Sequence, residues 1–210
     1  MQPRRIAREL ALLSLSQVSS NLEKLHQEQL SDLVLGAVRT LTQEVHDILE
    51  TAASELKRGS DRLIDSEIQA TTVKSARAMV SDAIEQTQTA INRVGMAMEL
   101  PEFIQLTNQK EVKAYALEIL STVKQERAEI DDLISNSLVN WQLNRIARID
   151  RDILRIAVAE MHYLGVQDRI AINEAVELAK RYSGEDAYRF VNGVLRRVSD
   201  RLKNRIPQNT

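Results

Sequence analysis

Ile170-Ala171-Ile172-Asn173-Glu174-Ala175-Val176-Glu177-Leu178-Ala179-Lys180-Arg181-Tyr182, followed after Gly184 by Phe190-Val191-Asn192-Gly193-Val194-Leu195, is the stretch that decides the fold. Its apolar residues recur at helical spacing, Gly184 breaks the run, and a second run extends from Ala187 to Leu202. The stretch therefore predicts two helices joined by a short turn. Immediately upstream, Ile153, Leu154, Ala157, Val158 and Met161 form another apolar face behind Asp150, a residue type suited to an N-cap, and Gly165 interrupts that run.

The rest of the chain reads the same way. Val112, Ala116, Ile119, Leu120 and Val123 give one face, and Ile130, Leu133, Ile134, Leu138 and Trp141 give the next. At the start, residues 4–18 predict an amphipathic helix with Ile6, Leu10, Leu13 and Leu15 inward and Arg4, Arg5 and Arg8 toward solvent. Ser19, Ser20 and Asn21 break it, and Leu30 to Leu41 reads as a short second helix. Aromatics make up only 3 % of the 210 residues, with 6 Gly and 3 Pro, too few for strands and their turns. An all-α helical bundle follows.

The middle differs. Val45, Leu49, Ala52, Leu56, Gly59 and Leu63 step by four and three, as do Val80, Ile84, Thr87, Ile91, Val94 and Met98. Two such stripes joined near residues 65–72 predict a long antiparallel helical hairpin over 42–100 with a narrow seam, weakened at Gly59 and Thr87 and ended by Pro101. On this reading residues 1–202 are one domain interrupted by the hairpin, and 203–210 are a flexible tail.

Enzyme chemistry finds no footing. There is no cysteine, and His26, His46 and His162 are far apart with no metal-binding spacing, so neither thiolate catalysis nor a zinc site is expected. No glycine-rich phosphate loop occurs, and pairs such as Asp131/Asp132 and Glu185/Asp186 are neighbours that a helix points apart. No cofactor is expected. Neither a secretory signal nor a membrane-spanning stretch is visible, so a cytoplasmic location is expected.

Charge is unevenly distributed. The formal net charge is -2, yet residues 181–205 carry seven bases against three acids while residues 44–70 carry seven acids against three bases. Arg4, Arg5 and Arg8 add to the basic termini, and a polyanion responds to the local field rather than to the total.

Three segments together resemble the NusB family: Arg4-Arg5-Ile6-Ala7-Arg8-Glu9-Leu10-Ala11, then Asp150-Arg151-Asp152-Ile153-Leu154-Arg155-Ile156-Ala157 with Glu160, and above all the two-part stretch quoted first. The resemblance covers residues 1–20 and 112–202. Ser16 stands where the family commonly has tyrosine, and Gln167 lies near a frequent proline. It implies a NusB-like bundle of two subdomains, here with the hairpin inserted. It also implies a non-enzymatic adaptor for transcription antitermination, in a bacterial cytoplasm or a bacterial-type plastid compartment. Such an adaptor binds a boxA-like single-stranded RNA with the ribosomal protein NusE, and the pair joins the antitermination complex on RNA polymerase. Carried over by position, Arg4, Arg5, Arg8, Asp186, Arg189 and Phe190 would face RNA, and Asp150, Arg151 and Arg155 would serve the protein partner.

Elementary chemistry is compatible with these roles. Arg4 and Arg8 are four apart on one helix face, with Arg5 beside them, and guanidinium groups fork onto phosphates. Phe190 reads either as a core residue or, beside Arg189, as a ring for stacking on an unpaired base, and Tyr182 and Tyr188 near the same turn read first as half-buried packing residues and second as further stacking rings. Asn173 and Asn192, set among apolar residues, predict hydrogen bonds to backbone or caps; Gly193 predicts close approach of another helix, and Trp141 a core anchor. Two other readings stand beside the adaptor. One is a protein-only scaffold acting through the acidic arm. The other is a relative of the N-terminal domain of rRNA cytosine methyltransferases, which would need a following methyl-donor domain. Monomer and homodimer are both compatible with the sequence.

Overall fold

The computed structural model describes residues 3–17, 26–107 and 109–205. Eight α-helices follow in order: α1 Pro3–Gln17, α2 Gln27–Ile68, α3 Val73–Thr107, α4 Lys110–Gln125, α5 Arg127–Ser135, α6 Arg148–His162, α7 Asp168–Tyr182 and α8 Ala187–Arg205, with a 3-10 turn at Leu143–Arg145. No strand occurs among the described residues. The chain divides into two compact units, one made of the residues up to Ala37 and from Thr107 onward, the other of Val38–Leu106.

The first unit is built around α6, in which every residue from Asp152 to Met161 is buried. Helices α1, α4, α5, α7 and α8 all pack against it, so this helix has no solvent face. Three of its polar residues are consequently neutralised within the core. Glu160 accepts from Arg8 Nε at 2.8 and 2.7 Å and from the Tyr115 hydroxyl at 2.5 Å. Arg155 donates to both Asp131 oxygens at 2.7 and 2.9 Å and to Asp152 at 2.9 Å. Burial, reinforced by Glu160, raises the Tyr115 phenol well above its ordinary range, so it remains a proton donor to this cluster at neutral pH.

Helix α6 closes through Gly165, whose φ of +66° is the left-handed conformation that glycine tolerates, and the Val166 amide reaches back to the Glu160 carbonyl at 3.0 Å. Asp150 lies inside the first turn of α6 rather than at its N-cap, which is Ala147. There its carboxylate favours the positive end of the helix dipole. The apolar face expected from Ile130 to Trp141 ends sooner, because α5 stops at Ser135 and Asn140 turns the chain with φ +60°. Arg197 Nε, donating to the Ser137 carbonyl at 2.6 Å, ties this loop to α8.

The helix expected over 30–41 and the first arm of the hairpin are one uninterrupted helix of 42 residues, α2, of which the second unit takes Val38 onward. Helix α3 continues through Pro101 to Thr107; a proline deletes a single ladder bond, which a long helix absorbs. Only Ala52 and Gly59 of the expected α2 stripe are buried in the seam. Ala52, Glu55 and Gly59 of α2 and Ala83, Ala90 and Ala97 of α3 are buried, whereas Leu49, Leu56, Leu63, Ile84 and Ile91 are 42–64 % exposed. Small residues let the backbones approach: a Cβ on Gly59 would lie 3.1 Å from the Ala83 carbonyl oxygen and 3.2 Å from the Thr87 hydroxyl. Arg93 Nε then fastens Glu55 at 2.9 Å. Gly59→Leu should overpack this contact and cost about 1–3 kcal/mol, read as a lower urea midpoint; an unchanged midpoint would mean that the helices do not approach so closely.

Ser19, Ser20, Asn21 and residues 206–210 of the expected tail lie outside the described residues, as does the side chain of Met98, whereas residues 203–205 of that tail belong to α8. No helix of the described residues is long and apolar enough to cross a membrane.

Candidate nucleic-acid interface

Arginines at the start of α1 and the α7–α8 turn meet in the first unit because the ends of α1 and α7 are fastened together. Glu9, buried in α1, accepts from Arg181 at 2.8 Å and from the Tyr182 hydroxyl. A second tie runs from Arg5 to Glu177 at 3.7 Å. Helix α1 thus carries its N-terminal arginines alongside the C-terminal half of α7.

The expected fan of three arginines is reduced to two. Arg8, predicted to face solvent, is only 4 % exposed and spends its guanidinium on Glu160 and, at 3.4 Å, on Glu174. Its partners lie more than 150 residues away, so no local pattern announces its burial. Arg5 is exposed, and Arg4, also exposed, lies over the Tyr115 ring at 5.1 Å from the centroid.

From Arg5 the surface can be followed contact by contact. Glu177 binds Lys180 at 2.7 Å; Lys180 sits 5.8 Å from the Tyr188 ring centre; Arg189 donates to the Tyr188 hydroxyl at 3.0 Å and pairs with Asp186 at 3.3 Å. Both Arg189 and Asp186 are almost free in solvent. Asp186 in turn borders an apolar depression of about 420 Å³ whose walls include Phe190, Trp141, Ile146, Arg145 and Asp150.

Trp141, read as a core anchor, is 59 % exposed and meets half-buried Phe190 edge to face at 6.3 Å. The displacement follows from the early end of α5, which puts the tryptophan on a loop. Asp150 is buried at the floor, and its Oδ1 has no hydrogen-bond partner within the protein. An unsatisfied buried acceptor costs free energy unless something supplies a donor. Two aromatic rings and a carboxylate lining one apolar depression, with guanidinium groups beside it, suit an unstacked base with an exocyclic amine.

The remaining expected residues fall elsewhere. Arg155, assigned to the partner surface, is buried and satisfied by Asp131 and Asp152; Arg151 is half-buried with its Nε enclosed and without a hydrogen-bond partner. Asn173 is exposed along a polar groove of about 530 Å³ with Arg169, Arg196 and Lys203, so it has no buried amide to satisfy. Asn192 accepts from Arg196 of its own helix at 3.2 Å instead of bridging to another. A Cβ on Gly193 would meet only the Arg197 side chain at 3.7 Å, so no helix presses on it. Lys180, Arg145 and the exposure of Trp141 were not foreseen; the cluster of Lys180, Tyr188 and Arg189 around one turn was the available signal for the first.

Comparison with known proteins places this arrangement. A family model described as the NusB family matches residues 74–200. The chain is 60 % identical over 200 residues to the transcription antitermination protein NusB of Trichodesmium erythraeum, covering 95 % of this chain and 97 % of that one. It is 58 % identical to the Microcystis aeruginosa protein of the same name, covering 96 % and 93 %, and 54 % identical to the Synechocystis one, covering 98 % and 95 %. Among solved structures, Thermotoga maritima NusB aligns over 48 % of this chain and 75 % of that one at 35 % identity with a TM-score of 0.43. A chain from the crystal structure of a plectonemic RNA supercoil aligns over 100 % of both chains at 19 % identity and a TM-score of 0.50, a likeness of fold alone.

Proposed function

Because this chain belongs to the NusB family, whose matched relatives are transcription antitermination proteins, we propose that it is a non-catalytic adaptor that holds a boxA-like single-stranded RNA on the strip from Arg4 and Arg5 to Phe190 and Trp141. With the ribosomal protein NusE as partner, it joins the antitermination complex on RNA polymerase in a bacterial cytoplasm. The observation that carries the RNA reading is the apolar depression lined by the edge-to-face pair of Trp141 and Phe190, with Asp150 in its wall.

The chemistry divides along the strip. Arg4, Arg5, Lys180 and Arg189 are cations for phosphates, which set affinity and its salt dependence but read no sequence. The depression reads the base: the rings receive its face, and Asp150 accepts from an exocyclic amine of adenine, cytosine or guanine, which uracil lacks. The exposed acids Glu177 and Asp186 moderate the field, so the protein alone binds modestly and gains affinity when NusE extends the surface. Arg151, at the start of α6, is the expected partner residue left to serve NusE.

Equilibrium binding to labelled boxA-like and scrambled RNA, with and without NusE across a salt series, tests this. Arg4→Ala with Arg5→Ala should weaken binding and flatten the salt slope by roughly 1.4, at about 0.7 per phosphate contact on a single strand. Equal and feeble binding of both RNAs with NusE present, or a slope unmoved by the double substitution, would count against it.

A further inference from the structure

The Val38–Leu106 unit is a hairpin with two unlike faces. One bears Glu55, Arg58, Asp82 and Glu85. The other holds a groove of about 480 Å³ whose walls include Leu56, Ser60, Leu63, Ile84, Thr87 and Gln88, none of them charged. Leu49, Leu56 and Leu63 recur every seven residues along α2, and Ile84 and Ile91 do so along α3, and all five are 42–64 % exposed. The hairpin therefore has two heptad stripes per helix. The small-residue stripe is consumed by the internal seam, and the large-residue stripe has no partner within the unit.

We infer that this uncharged face pairs with the same face of a second copy of the chain, closing an antiparallel four-helix bundle in which Leu56 and Ile84 become core. The self-partner is favoured by three features. Within the groove every large residue is aliphatic and the polar residues are neutral, so two copies of it meet without like-charge opposition. Beside the stripe on α2 stand Glu50 and Lys57, both exposed, seven residues apart and opposite in sign. An antiparallel pairing of α2 with its copy, with the two-fold near Ser54 and Glu55, layers Leu56 on Ala53 and Leu49 on Ser60. The same pairing sets Glu50 of each copy beside Lys57 of the other. The extent also suffices: an arm of about 27 residues is roughly 40 Å long at 1.5 Å per residue, and two helices abreast cover on the order of 800 Å² per copy, the size of a specific interface. The pairing does not depend on the RNA reading and leaves the basic strip of the other unit to its own test.

Sedimentation equilibrium of the full chain over a concentration series, with circular dichroism as a check on helicity, tests the pairing. The wild type should rise from 23.8 kDa toward twice that mass. Leu56→Glu with Ile84→Glu, both at exposed positions, should weaken the dimer by more than about tenfold at unchanged helicity, while Thr89→Glu on the charged face leaves it intact. Lys57→Glu should weaken it severalfold, and adding Glu50→Lys should restore it. A single-copy mass at every concentration overturns the inference, as does a dimer equally tight in the Leu56→Glu, Ile84→Glu protein, and a charge swap that fails to rescue overturns the register.

Discussion

Arg8→Ala should unfold the first unit more readily than any other single arginine removal in α1, by about 3–5 kcal/mol. In a unit of this size that corresponds to a melting temperature lower by roughly 10 °C or more. The reason is what stays behind. Glu160 is 1 % exposed, and Arg8 supplies its Nε to both carboxylate oxygens at 2.8 and 2.7 Å. Truncation leaves a carboxylate in the core with the Tyr115 hydroxyl still donating to it, while Glu174 loses its 3.4 Å partner. Arg5→Ala, four-tenths exposed and 3.7 Å from a half-exposed Glu177, should change stability by less than about 0.5 kcal/mol. Replacing both members, Arg8→Met with Glu160→Leu, should recover most of the loss, because the cost lies in the orphaned charge and not in a missing attraction. Thermal unfolding followed by circular dichroism separates the cases. A small loss in Arg8→Ala, or a double variant as unstable as the single one, would show that water reaches this pair.

The same comparison shows what a sequence can and cannot say. Helices α6, α7 and α8 are legible because their apolar residues repeat at the helical period and glycines punctuate them at 165 and 184. Arg8 and Arg155 are misread for one cause. Periodicity sorts residues by polarity, whereas an arginine on a helix face covered by other helices is buried whatever its polarity, provided a carboxylate meets it there. In the hairpin, two heptad stripes run side by side on each helix. Polarity favours the leucines as the seam, yet Ala52 and Gly59 with Ala83 and Ala90 permit the closer backbone approach and take it. Trp141 was assigned to a helix that ends six residues earlier, so its exposure depended on a loop turning at Asn140 that carries no periodic signal. Part of the candidate interface was visible, at Arg4, Arg5, Asp186, Arg189 and Phe190. The part that completes the depression, Asp150 lining it together with Trp141, required the tertiary arrangement.

Phe190→Ala with Trp141→Ala should weaken binding of boxA-like RNA by about 10- to 100-fold, the range expected when base–aromatic stacking of roughly 1–3 kcal/mol is lost. The salt slope should hardly move, because no cation has been removed. Stability should also hold better than for a core aromatic pair: Trp141 is 59 % exposed and Phe190 half-buried, so their edge-to-face contact rests at the surface and not inside the bundle. Asp150→Ala supplies the complementary case. It removes an acceptor that is unsatisfied in the free protein, so the free protein should lose little stability beyond a favourable helix-dipole contact, while preference for the cognate RNA over one with uracil at the contacted position should fall. The two substitutions thus divide affinity from discrimination, and the paired arginines at 4 and 5 divide both from salt dependence. Fluorescence anisotropy at two salt concentrations distinguishes the three patterns. If the ring-deleted protein bound as tightly as the wild type, the depression would lie outside the RNA path, and the strip would end at the phosphate-facing cations.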